Sequence, residues 1–268
     1  MRAYFNYFKL RIFTNLQYRA AALAGISTQL FFGMTYIMLY LALYESNAGV
    51  STPMNLDNLI TYVWLQQAFL ILMYPYVKDQ ELLGMIRNGN LAYELVRPQD
   101  FYLKFYIKML SERMVACFLR FSPIIILGLI LPKPYKLGLP YSFESFILFI
   151  IGLLFSVLLV TSLALLIHII TMFTLADDGV INIYAMTAGV FMGSLIPIPF
   201  LPKFMIKIGN FLPFKYIGDL PYRIYSGDIN VLNGRMLLFG SFIWIVITII
   251  IGYMVSKLAL KKAVIQGG

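Results

Sequence analysis

Six apolar stretches, each near the length of a bilayer's hydrocarbon core, leave this chain one practical way to bury itself: as membrane-crossing helices. They run over about Ala21–Tyr44, Leu59–Val77, Met109–Leu131, Phe143–Phe173, Val180–Ile196 and Met236–Leu258. The fifth is short, about 25 Å at the helical rise, and Pro197, Pro199 and Pro202 end it. With 60% hydrophobic residues, 12% charged residues and a mean hydropathy of +0.81, the chain has too little polar surface for a soluble domain of 268 residues. The expected fold is an all-α polytopic membrane protein with six transmembrane helices. Residues 1–20 form an N-terminal interfacial helix and residues 21–268 form one transmembrane domain.

Lys and Arg set the orientation. The N-terminal segment, the second-to-third connection and the C-terminus together carry twelve, from Arg2 to Lys262. The opposite side carries seven, five of them between Lys203 and Arg235. Both termini are therefore expected in the cytoplasm. The net charge of +9 belongs to these loops and to anionic headgroups rather than to nucleic acid, for which no soluble basic domain exists. The single Cys117 rules out an internal disulfide and cysteine-based metal or redox motifs.

The N-terminus lacks the compact apolar core and cleavage site of a signal peptide. Phe5, Phe8, Ile12 and Leu16 form one helical stripe, which fits a helix lying on the inner leaflet; a frayed basic tail is the alternative. The segment 197–235 is too apolar for a free loop and too broken for a seventh span. An external re-entrant pair of short helices satisfies its backbone, and a surface loop with one amphipathic helix is the other reading.

The connection 78–108 is far longer than two adjacent spans require, and it keeps helical apolar spacing. It contains Arg87-Asn88-Gly89-Asn90-Leu91-Ala92-Tyr93-Glu94-Leu95-Val96-Arg97-Pro98. A long ordered segment at the membrane face reads as a docking surface for a soluble partner.

Catalytic patterns are nearly absent. No phosphate-binding G-x-x-x-x-G-K-[ST] occurs, and one histidine, His168, cannot build a histidine metal cluster. His168 reads as a packed structural group, with a proton or substrate role as the rival. Asp177 and Asp178 read as caps of the fifth span. Ala185, Gly189 and Gly193 recur every four residues, a small-residue face for close helix packing within the chain or for a dimer seam. Arg120 is embedded in the third span, one heptad beyond Arg113. An intramembrane arginine costs about 2.5–3.5 kcal/mol on insertion scales, so it is expected on the interior face, as a structural cation or as one lining a substrate cavity, with snorkelling towards the inner interface as the alternative.

Together, the six spans, the long segment after span two and the broken external hairpin resemble the membrane subunit of a type 2 ABC exporter. Gly89 to Pro98 resembles the G-x-L-x-x-x-L-L-R-P signature of a bacterial branch linked to multidrug export, with Val96 where leucine is commoner. Leu212-Pro213-Phe214, followed by Pro221 and Gly227, resembles that branch too. The resemblance implies a non-enzymatic permease in the bacterial inner membrane that pairs with a second permease subunit, more often a different chain. It implies ABC ATPase subunits as partners, with ATP and Mg bound on those chains and no cofactor or metal on this one. It places a coupling helix within about Asp79–Leu91, with Glu81, Arg87, Asn88 and Gly89 as contacts and Glu94, Arg97 and Pro98 as its brace. A self-sufficient secondary transporter or channel is the alternative, although no internal repeat supports it.

Overall fold

The computed structural model describes residues 2–15, 19–46, 52–76, 78–91, 94, 98–174 and 177–262. The secondary structure among them is entirely helical. Helix α1 spans Arg2–Asn15 and α2 spans Arg19–Ser46. Then come α3 (Leu56–Ala68), α4 (Leu70–Met73) and α5 (Gln80–Arg87). Helices α6 (Phe101–Phe118) and α7 (Phe121–Ile130) follow, then α8 (Phe143–Thr174) and α9 (Asp177–Phe191). After two short helices, α10 (Lys203–Asn210) and α11 (Asp219–Ser226), the chain ends in α12 (Val231–Lys262).

Four stretches are long and apolar enough to cross a membrane: Ala22–Ser46, Phe101–Ile130, Phe143–Thr174 and Val231–Lys261. The expected second and fifth crossings are shorter and more polar. The second breaks at Phe69, whose φ of −105° and ψ of 12° leave the helical region, and it stops at Tyr74 because Pro75 pushes its predecessor into extended backbone. The fifth has only 15 residues, about 22 Å. The third begins at Phe101, eight positions before the expected Met109. It is interrupted at Leu119 and Arg120, because Pro123 lacks an N–H and its ring collides with the Leu119 carbonyl four residues back.

The core has two parts. The larger packs Trp64, Tyr62, Ile37, Leu59, Val160 and Tyr222 around the α3–α8–α11 junction. The smaller packs Leu82, Tyr102, Phe105, Leu165 and Ala259 where α5, α6, α8 and α12 meet. Helices α8 and α12 form the most extensive pairing, and Ser162 and Thr248 hydrogen-bond across it at 2.7 Å. Helix α1 lies on α6. Its half-buried side chains Tyr4, Tyr7, Phe8, Arg11 and Ile12 follow helical spacing, whereas Phe5 faces outward at 67% exposure. The expected apolar stripe is thus split: Phe8 and Ile12 face protein and Phe5 does not. Leu16 lies outside the described residues.

The segment 197–235 is built from single 3-10 turns at Ile198–Phe200 and Phe214–Tyr216 together with α10 and α11. Helix α11 is buried between α3 and α8, with Leu220, Tyr222 and Ile224 at 3% exposure or less. Helix α10 leaves Phe204, Ile208 and the adjoining Phe211 exposed.

A polar clasp ties the turn just before this segment to α3. Tyr62 Oη donates to the Gly193 carbonyl at 3.0 Å, and Gln66 Nε2 donates to the carbonyls of Gly193 and Ser194 at 3.0 and 2.7 Å. Gly193 has φ +76°, and a Cβ there would lie 2.5 Å from Tyr62 Oη. At Gly189 a Cβ would meet only the Ser194 hydroxyl at 3.6 Å and Leu195 at 4.0 Å. Gly193→Ala is therefore expected to destabilise the protein by about 1–3 kcal/mol, while Gly189→Ala stays near wild type. Thermal unfolding of both variants in detergent checks this; equal midpoints would remove the clasp's importance.

Candidate functional site

Helix α5 begins at Asp79, whose φ of −77° and ψ of 96° suit an N-cap. Its carboxylate accepts from the Leu82 N–H at 3.0 Å. The same carboxylate takes Lys108 Nζ of α6 on both oxygens, at 2.6 and 2.7 Å, and Asp79 and Lys108 are each only 4% exposed. The Asp79 N–H donates to His168 Nε2 of α8 at 3.0 Å. His168 Nδ1 lies 2.7 Å from the Ala164 carbonyl, which places the ring proton on Nδ1 and leaves Nε2 as the acceptor. Three elements thus converge on one residue, and Leu82 and Leu83 anchor the helix below it.

Lys108 also reaches Glu81 at 2.9 Å, and Arg11 of α1 meets the same Glu81 oxygen at 2.8 Å. Partial burial works against the Glu81 carboxylate, but Lys108 and Arg11 outweigh it and hold the group below its ordinary value. The chain Asp79–Lys108–Glu81–Arg11 links α5, α6 and α1. Glu94 pairs with Lys104, both buried. The backbone N–H of Asp100, the cap of α6, donates to Tyr4 Oη at 2.8 Å. Lys78, just before α5, pairs with Asp178 in the first turn of α9.

The outward face of α5 carries Gln80, Glu81, Arg87 and Asn88, all exposed. Gly84 lies among them with open space where a Cβ would stand. Gly89 follows at φ +67°, which glycine adopts without strain. The Asn90 N–H caps the helix end by donating to the Met85 carbonyl at 3.0 Å. Pro98 is exposed, and Arg97 lies outside the described residues.

Arg120 stands in the break between α6 and α7, half-buried, with its guanidinium packed on Gly25 of α2, where a Cβ would fall 2.4 Å from Nη1. The more deeply buried cation is Arg113, which sequence reasoning noted only as a neighbour. It is 4% exposed and donates through Nη1 to the carbonyls of Tyr74 at 2.7 Å and Leu72 at 3.3 Å. Its signal was available: two arginines at heptad spacing in one span, beside a proline-ended helix whose last carbonyls lack partners.

Ala185 and Gly189 line a groove of about 710 Å³ between α2, α4 and α9, together with Phe32, Tyr36, Gln67 and Asn182. Gly193, the expected third member of that face, lies beyond the end of α9 in the turn held by Tyr62. The small residues leave an open cleft in this chain instead of a tight helix contact.

Removing one partner of the Asp79–Lys108 pair strips a buried charge of its main counter-charge, and Glu81 compensates Lys108 only in part. Lys108→Met and Asp79→Asn are each expected to cost about 3–5 kcal/mol, with the double variant costing less than the sum. A thermal-stability double-mutant cycle measures this, and additive losses would show that the pair is not coupled.

The family comparison matches residues 30–267 to a family described as ABC-2 family transporter protein. Comparison with curated proteins and with solved structures yields no match.

Proposed function

The chain belongs to the ABC-2 family of transporter proteins, the multi-pass, non-catalytic permeases of ABC transporters that associate with ATPase subunits, and from that premise we propose that it forms one half of an exporter's membrane path. Helices α3–α4 and α9 supply the second and fifth of six crossings, both termini are cytoplasmic, and 197–235 is an external re-entrant hairpin in a bacterial inner-membrane protein of the multidrug-type branch. ATP and Mg are bound by the partner ATPases. A second permease subunit, a different chain in this reading, faces the groove lined by Ala185 and Gly189, whose walls on α2 and α9 also expose Phe32 and Met186. Family membership leaves the alternative of an ATPase-independent transporter or channel without support.

The observation that carries this reading is the construction of α5. An eight-residue amphipathic helix has its inner end fixed by Asp79, Lys108 and His168, and it presents Gln80, Glu81, Arg87 and Asn88 outward. Such a helix is suited to receive a push from a soluble partner and pass it to α6 and α8.

Arg87 is exposed and Gly89 needs its positive φ. Arg87→Glu is expected to leave the thermal midpoint of the membrane chain near wild type, whereas Gly89→Val carries a strain cost of about 1–3 kcal/mol for a β-branched residue at positive φ. Both should weaken copurification of the ATPase by about ten-fold, roughly 1.4 kcal/mol, or uncouple hydrolysis from export. Wild-type ATPase association and export in both variants would eliminate α5 as the coupling element. For topology, cysteines at Leu139 and Phe211, 75% and 81% exposed, in a Cys117→Ser background should react with an impermeant thiol reagent from outside, and one at Asn88 only in inverted vesicles. The reverse pattern would invert the orientation.

A further inference from the structure

A second cavity, of about 560 Å³, lies between α10, α11 and the start of α12. Its wall is polar in an organised way. Arg223 is gripped by two carboxylates, with Nη1 to Asp219 Oδ2 at 3.1 Å and Nε to Asp228 Oδ2 at 2.6 Å. Asp228 Oδ1 has no donor among the described residues and can accept one. Lys215 lines the same cavity within electrostatic reach of Asp219 and Arg223, and Nζ donates to Asn210 Oδ1 at 3.0 Å. Burial, only partly offset by Asp219, pulls the Lys215 ammonium below the usual lysine value, so an added anion would be favoured beside it. The side-chain amides of Asn210, Asn230 and Asn233 complete the lining. The cavity therefore offers an ammonium and amide donors to a negative group, and a carboxylate oxygen to a positive one.

Its mouth is apolar and continuous with a long track. Met236 lines the cavity and is 68% exposed. From there Leu232, Met236, Phe239, Ile243, Ile247 and Ile250 run down α12 at helical spacing, each at least 39% exposed. Beside the cavity, α10 exposes Phe204 and Ile208 and carries Lys203 and Lys207. A polar cavity capping an exposed apolar helix stripe matches an amphiphile with its headgroup inside and a chain along α12.

We propose that this cavity holds the zwitterionic headgroup of a glycerophospholipid, with the phosphodiester at Lys215 and the asparagine amides and the ammonium at Asp228 Oδ1. An ammonium that keeps its N–H groups can donate to Asp228, whereas a quaternary one cannot. A purely anionic headgroup would satisfy Lys215 and meet Asp228 as a like charge. The site is bound lipid held by the chain itself. It depends on the permease reading only for the leaflet it faces, so binding and ATPase association succeed or fail separately.

The test is native mass spectrometry of the full chain in detergent, titrated with dioleoyl phosphatidylethanolamine, phosphatidylcholine or phosphatidylglycerol. The wild type should retain one phosphatidylethanolamine, about five-fold or more tighter than either other lipid. Asp228→Asn should erase that preference, and Lys215→Met should weaken retention of all three lipids, since each carries the phosphodiester. Lys215 is half-buried and its one hydrogen bond goes to the exposed Asn210, so Lys215→Met keeps the thermal midpoint even if Asp228→Asn does not. Equal retention of the three lipids, an unchanged preference in Asp228→Asn, or undiminished retention in Lys215→Met overturns the proposal. Displacement by millimolar phosphoethanolamine without acyl chains also overturns it, by making the ligand a soluble zwitterion.

Discussion

The ion pair between Asp79 and Lys108 is the constraint around which one end of this molecule is organised. A carboxylate and an ammonium, both nearly sealed from solvent, hold each other only where geometry and further hydrogen bonds offset their lost hydration. Here the remaining capacity of Asp79 is used by the first turn of α5, and its backbone N–H is taken by His168. The position of α5, the register of α6 and the rotamer of a histidine on α8 are therefore one solution. Arg11 and Glu81 extend it to α1, which otherwise touches the bundle through a narrow stripe. Because that outer pair is more exposed, it contributes far less than the inner one.

How much of this was legible in the chain depended on which forces were local. Apolar length gave the helical membrane class and four strong crossings, because bilayer thickness translates directly into residue count. Pro123 and Pro75 are local breakers that the expected spans ran straight through, and each interrupts or ends a helix as ring geometry requires. Helix α5 lies within the span expected for a coupling segment, since its N-cap and buried leucines are short-range signals. His168 reads as a structural histidine from either direction, but only three dimensions supply its partner, 89 residues away.

What was not legible came from long-range pairing. Gly193 looked like the third member of a small-residue face, yet it is the turn that receives Tyr62 and Gln66, residues more than 120 positions earlier. Arg120 drew attention because it is flanked by phenylalanines, while Arg113 is the more completely enclosed cation. Sequence spacing placed both on one span but could not tell which of them met the bare carbonyls at the end of α4. Gln66 and Gln67 are tolerated in α3 for a related reason: both are buried in protein, and Gln66 donates to turn carbonyls.

Arg113 and Lys108 have a joint mechanical consequence. Lys108 holds the first residue of the α5 cap, and Arg113 holds the last carbonyls of α4. They stand five residues apart on α6, about 7.5 Å along its axis. The strand of chain between Tyr74 and Asp79 is therefore stapled at both ends to the same rod. A displacement of the first turn of α5 is therefore opposed, through Asp79 and Lys108, by the same helix that holds the end of α4. Both anchors lie on the near side of the Leu119–Arg120 interruption, within one unbroken helix.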